Sequence, residues 1–315
     1  MLPTRRSPAP IRIDAMATLS PETTRTSRTG SWNRPMMVLA AAMAVLVVVT
    51  TIGVLADGRV LTGSAIWLKP FKFSVSILLY AVALAWMLSL LPRRSRLAER
   101  SALVIVLSLF IEMAVVVVQV IRGTTSHYNM STPLNTALWN IMFAAIIVLF
   151  FAHLLIAVAV LRARIPDRVV RTGVALGVGV SLVGLFVATP MGSANQHTVG
   201  AADGGPGLPV VGWSTVGGDL RVGHFIGLHA LQVLPLLAWG LTRFAGRLSE
   251  RARVRLLLLA GAGYAGITVL TTWQALREQP LIRPDVVTLT AFGVLAGLVL
   301  AGVAITLRAE ARQEL

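Results

Sequence analysis

Eight runs of about 20 apolar residues, each long enough to cross a bilayer, leave this chain few folds to choose from. The hydrocarbon core offers no water to backbone N–H and C=O groups, so each run must be a helix that pairs them internally. The runs fall at roughly 35–56, 71–92, 101–121, 136–161, 172–190, 223–242, 255–276 and 287–307. An all-α integral membrane protein with eight transmembrane helices is therefore expected. The 315 residues leave no room for a separate soluble domain.

Arginine tells the two sides apart. Of 28 Lys and Arg residues, 21 lie in the N-terminal tail, the even-numbered connections and the C-terminal tail. The odd connections and their helix ends hold Arg59, Lys69, Lys72, Arg122, Arg221, Arg277 and Arg283. Cytoplasmic loops retain an excess of Lys and Arg, which places both termini in the cytoplasm of a multi-pass plasma-membrane protein. The net charge of +15 is thus dispersed as short loop clusters beside membrane helices. Anionic headgroups suffice as partners for such clusters, and nucleic acid is not expected. Residues 1–34 are rich in Arg, Ser, Thr and Pro without apolar periodicity and read as a disordered basic tail, with a short C-terminal tail at 308–315. No cleavable signal is expected, because the first apolar run begins late and is long enough to span. The absence of cysteine removes disulfides, thiolate metal sites and cysteine nucleophiles.

Landmarks recur at a nearly constant offset. Leu84-Ala85-Trp86 returns as Leu237-Ala238-Trp239, 153 residues on. Arg96-Leu97-Ala98-Glu99-Arg100 returns as Arg247-Leu248-Ser249-Glu250-Arg251 at 151. Gln119-x-x-Arg122 returns as Gln274-x-x-Arg277 at 155, and Pro133 as Pro284 at 151. These echoes predict a 4+4 parallel tandem repeat, with membrane halves at 35–161 and 162–307, related by an axis along the membrane normal. The connection from Pro190 to Val222 has no counterpart of equal length in the first half and is expected to fold back over the outer face.

Ionisable groups inside a span are costly and mark cavities or partners. Glu112 is the only acid within any run, and helix rise puts it about 14 Å below the outer boundary. Gln119 shares its face, followed by Arg122, His127 and Asn129. On the sixth span His229 and Gln232 project to one side, Gln232 near the depth of Glu112. Gln119, Gln232 and His153 would also serve as interhelical hydrogen-bond partners, and Arg122 as an interfacial anchor. The chain uses lysine only at Lys69 and Lys72, both at the mouth of the second span. A compact charge whose protonation responds to burial points there to a specific site. Lys69, Lys72, Glu112, Gln119, Arg122, His127, Asn129, His224, His229, Gln232, Gln274 and Arg277 are thus the expected ligand-binding set. They would line an outward-facing polar cavity with a cationic cast.

Metal chemistry fares less well on spacing. His224 and His229 are five apart, about 140° around a helix, and lack the i, i+4 relation of helical zinc pairs. A zinc site would need loop residues such as His127, His197 and Asp219 beside His224. For a bis-histidine haem the intramembrane candidates are His153 and His229, more than about 10 Å apart in depth. The eight-span 4+4 arrangement resembles, in topology alone, that of the haem A synthase family. That family pairs histidines on helices 2 and 4 and on helices 6 and 8; here the second and eighth spans have none. No cofactor is therefore expected.

The leading expectation is a membrane protein that binds or transports a small polar or anionic solute. The alternatives are a membrane-embedded enzyme at the outer leaflet (metal- or haem-dependent, or based on His224 or His229) and a non-catalytic scaffold or sensor.

Overall fold

The structure, a computed structural model, describes residues 32–312; the expected N-terminal tail falls almost wholly outside them. Eight helices are long and apolar enough to cross a membrane. They are α1 (Arg34–Ala56), α2 (Leu68–Ser89), α3 (Arg96–Ile121), α4 (Pro133–Arg162), α5 (Arg168–Phe186), α7 (Leu220–Phe244), α8 (Glu250–Leu276) and α9 (Val286–Ala311). A short helix, α6 (Thr189–Ala194), lies between α5 and α7.

Local chemistry sets where these helices begin. Asn33, Ser95, Thr132, Asp167, Asp219, Ser249 and Asp285 each accept a backbone N–H of the first turn, which satisfies a donor the helix cannot pair itself. Among the eight long helices the exception is α2, whose first turn contains Pro70 and starts without a side-chain cap. Proline is tolerated there because its missing N–H would have no intrahelical partner. That is why α2 opens at Leu68, three residues before the expected 71, and carries Lys69 on its first turn. The expected fifth run, 172–190, divides instead: α5 stops at Phe186 and Thr189-Pro190 starts α6.

Contacts between connections define two ends of the bundle. At one end Lys72 meets Val210 and Val211, and Lys69 meets His127. At the other, arginine-rich end, Arg168 approaches Glu250 at 3.9 Å and Ser249 donates to Glu310 at 2.8 Å. Helix α1 packs along α2 and α3 along α4; likewise α5 packs along α7 and α8 along α9. The two sets meet where α4 touches α5 and α2 touches α7.

The two sets are packed differently. Large buried side chains, among them Leu39, Leu84, Met87, Ile105 and Ile156, fill the first. In the second, backbones approach through glycine: a side chain on Gly184 would overlap Gly227, and one on Gly173 would overlap Ala238. Without a hydrophobic drive between helices in lipid, such close approach supplies the van der Waals contact that holds them.

Candidate functional site

A cavity of about 1290 Å³ lies between α2, α3 and α4 on one side and α5 and α7 on the other. It is roofed by the connection from 187 to 219. Both lysines of the chain, all three tyrosines and four of the five histidines line it. Helix α7 supplies one face, Arg221, His224, Phe225, Leu228, His229 and Gln232, at the three- and four-residue spacing of a single helix side.

A chain of polar groups crosses the first-half wall. Lys69 Nζ donates to His127 Nδ1 at 3.1 Å, and His127 Nε2 lies 3.3 Å from Glu112 Oε1. The tautomer with Nε2–H satisfies all three groups at once. Glu112 is only 2% exposed and its Oε2 has no partner among the described residues. Phe73, Tyr128 and Trp139 surround the imidazole, with ring centroids 5.5–5.9 Å away. Burial pushes the His127 pKa down, and Lys69 adds to this against the opposing pull of Glu112. The ring is therefore neutral near pH 7 and able to accept a proton from one neighbour while handing one to the other.

The roof is ordered by the cavity's other charges. Lys72 Nζ donates to Val210 O at 3.1 Å and Val211 O at 3.0 Å. Arg221 donates to Gly212 O at 2.5 Å and forks onto Asp219, the N-cap of α7. Residues 198–199 pair antiparallel with 218–219 and close the loop's base. Asp219 also accepts from Ser214 N; burial opposes its ionisation, but Arg221 holds the carboxyl below its ordinary range. His197 lies 3.3 Å from Asp203 and 3.8 Å from Asp219. Those carboxylates favour the charged ring, yet burial and Arg221 outweigh them and bring its pKa down to about 4.

Seven of the twelve expected residues, Lys69, Lys72, Glu112, His127, His224, His229 and Gln232, line this one cavity. His224 also ties α7 to α5 by donating to Gly184 O at 2.8 Å. The other five lie elsewhere. Gln119 donates to Thr125 O and Asn135 Oδ1, and Arg122 bonds Gln119 and Asn135. Asn129 braces the same turn through Thr124, Thr125 and Ser131. Gln274 donates to Pro280 O, and Arg277 to Asp285 and Thr288. Each Gln-x-x-Arg therefore clasps the start of the following helix: Asn135 and Thr288 are both third residues after an N-cap. The cationic cast expected of the cavity loses Arg122 and Arg277, and Lys69, Lys72 and Arg221 share it with Glu112 and Asp203.

Tyr80, Ser181 and Asn135 were not among the expected residues. Tyr80 donates to His153 Nδ1 at 2.7 Å, and His153 Nε2 donates to Ser181 Oγ at 2.9 Å. Ser181 Oγ in turn donates to Val178 O, so α2, α4 and α5 share one buried polar string beneath the cavity. A tyrosine in mid-span was the available signal for Tyr80. The recurrence of a polar side chain at the third position, Asn135 and then Thr288, was the one for Asn135.

His127, His197 and His224 take different partners, and no cluster of three His, Asp or Glu side chains suited to a metal occurs among the described residues. A second hollow of about 1200 Å³ at the arginine-rich end is bordered by the exposed Arg34, Arg96, Glu99 and Arg100 and has no buried ionisable group among its walls. No known protein family matches the chain, and no curated protein or solved structure does so either.

Proposed function

We propose that the chain is a plasma-membrane protein with both tails in the cytoplasm that binds a small polar solute in this cavity and carries it across. One observation bears most of the weight: the Lys69–His127–Glu112 chain at the cavity wall. A carboxyl group deep in a span is expensive to keep and tends to mark a substrate or proton path. Here it is linked through a neutral imidazole to an ammonium at the mouth, an arrangement suited to moving a proton as the solute moves. The tandem-repeat organisation is supported by the matching helix pairings and by the two Gln-x-x-Arg clasps at equivalent places. The sidedness follows from arginine, which is concentrated at the end away from the cavity roof.

Purified full-length chain in proteoliposomes, screened with small polar solutes under an imposed pH gradient, tests the reading. Flux of at least one solute is expected, with Glu112→Gln abolishing its coupling to the gradient and Lys69→Met reducing it roughly tenfold or more, the range of a positioned proton-transfer group. If no solute moves or binds in a way these two substitutions alter, the transport reading is lost.

A further inference from the structure

Three buried side-chain polar atoms lack a partner among the described residues: Glu112 Oε2, Gln232 Oε1 and Arg253 Nε. Arg253 belongs to the arginine-rich end. The other two belong to residues that line the cavity, and both atoms are acceptors. Native folds leave few buried polar atoms unsatisfied, and each calls for an explanation. Three donors of the cavity wall are committed elsewhere: Tyr80 to His153, Ser126 at His127, and Trp139 Nε1 to Asn195.

The two acceptors also share a tier. Glu112 is nine residues from the end of α3 and Gln232 twelve from the start of α7, about 14 and 18 Å in by helix rise. Above them, at the mouth, the cavity presents the donors Lys69, Lys72 and Arg221. Around and below them Ile77, Leu109 and Leu149 make an apolar wall. A solute that satisfied this layout would bring N–H donors, and preferably positive charge, to the deep tier and a short hydrocarbon portion to the wall.

We propose that Glu112 and Gln232 form the recognition subsite for a primary ammonium group, so that the solute class is an alkylamine or amino-bearing compound. This rests on the reading of the cavity as a solute site and adds the chemistry of the solute. One Glu112 oxygen stays with His127 while the other receives the ligand's N–H, and the Gln232 carbonyl takes a second. His127 then couples ligand and proton: the same carboxyl group cannot hold both a proton and an ammonium with full strength.

The test uses full-length chain in lipid nanodiscs and calorimetric titration with four probes: butylammonium, ethylammonium, tetramethylammonium and butyrate. Butylammonium is expected to bind, and tetramethylammonium, with the same charge and no N–H, at least about tenfold more weakly, the scale of a charge-assisted hydrogen bond. Glu112→Gln should weaken butylammonium roughly tenfold or more, whereas Gln232→Glu should strengthen it, a gain that misfolding cannot mimic. Equal binding of the primary and quaternary cations overturns the proposal, as does indifference to both substitutions. Binding of butyrate alone overturns it too but leaves a solute-binding cavity standing. Binding of no probe overturns the amine subsite, while the flux measurements decide the broader reading on their own.

Discussion

At the scale of single residues, the polar atoms inside this bundle divide by whether their bonding is complete. Around His153 it is complete: Tyr80, His153, Ser181 and Val178 form a string with every donor matched to an acceptor. Around Glu112 it is not, and one oxygen is left over. The first kind holds helices together; the second waits for something. Tyr80→Phe removes one bond of the string and should cost about 0.5–1.5 kcal/mol. His153→Ala strands both Tyr80 and Ser181 and should cost more, about 1–3 kcal/mol. Unfolding of the purified variants in mixed micelles ranks them. If His153→Ala is no more costly than Tyr80→Phe, the string is not a support.

Among the elements, the connection from 187 to 219 is the one whose behaviour should follow pH. His197 sits in it with a folded pKa of about 4, below its ordinary 6.5. The unfolded loop therefore binds a proton more tightly than the folded one, and acid favours release. The ordered loop keeps its full stability above about pH 6.5 and loses it progressively as pH falls toward 4, and proteolysis at Gly204–Val211 should accelerate over that window. His197→Gln should flatten the dependence. This connection also shows what the chain's pattern made legible. Its unusual length announced that it does something, but which carbonyls Lys72 and Arg221 would grip depends on backbone turns that periodicity does not encode. The spans were legible because apolar length alone dictates them. The start of α2 was not, since Pro70 reads as a stop in isolation yet is harmless in a first turn. Gln119, Arg122, Gln274 and Arg277 carry the same side-chain chemistry as a ligand site. Only the direction in which each points, toward the next helix start, separates clasp from cavity.

For the molecule as a whole, sidedness has a clean test because the chain has no cysteine. Single cysteines at Val210 and Arg283 should react in intact cells with an impermeant maleimide, while those at Arg94 and Gly246 should react only after permeabilisation. The reverse pattern would invert the topology and put the cavity on the cytoplasmic side. The two halves of the bundle also divide their labour: the first supplies the buried acid, the imidazole and the lysines, and the second supplies the roof and the α7 face. Their contrast in packing fits this, with interlocked side chains in one and bare backbone crossings in the other. Lys72 stands where these roles meet. Two of its N–H groups already hold the carbonyls of Val210 and Val211, so an anion arriving at the mouth competes with the covering for its charge. Latch and receptor share one ammonium group, and for such a visitor entry and capture would be a single event.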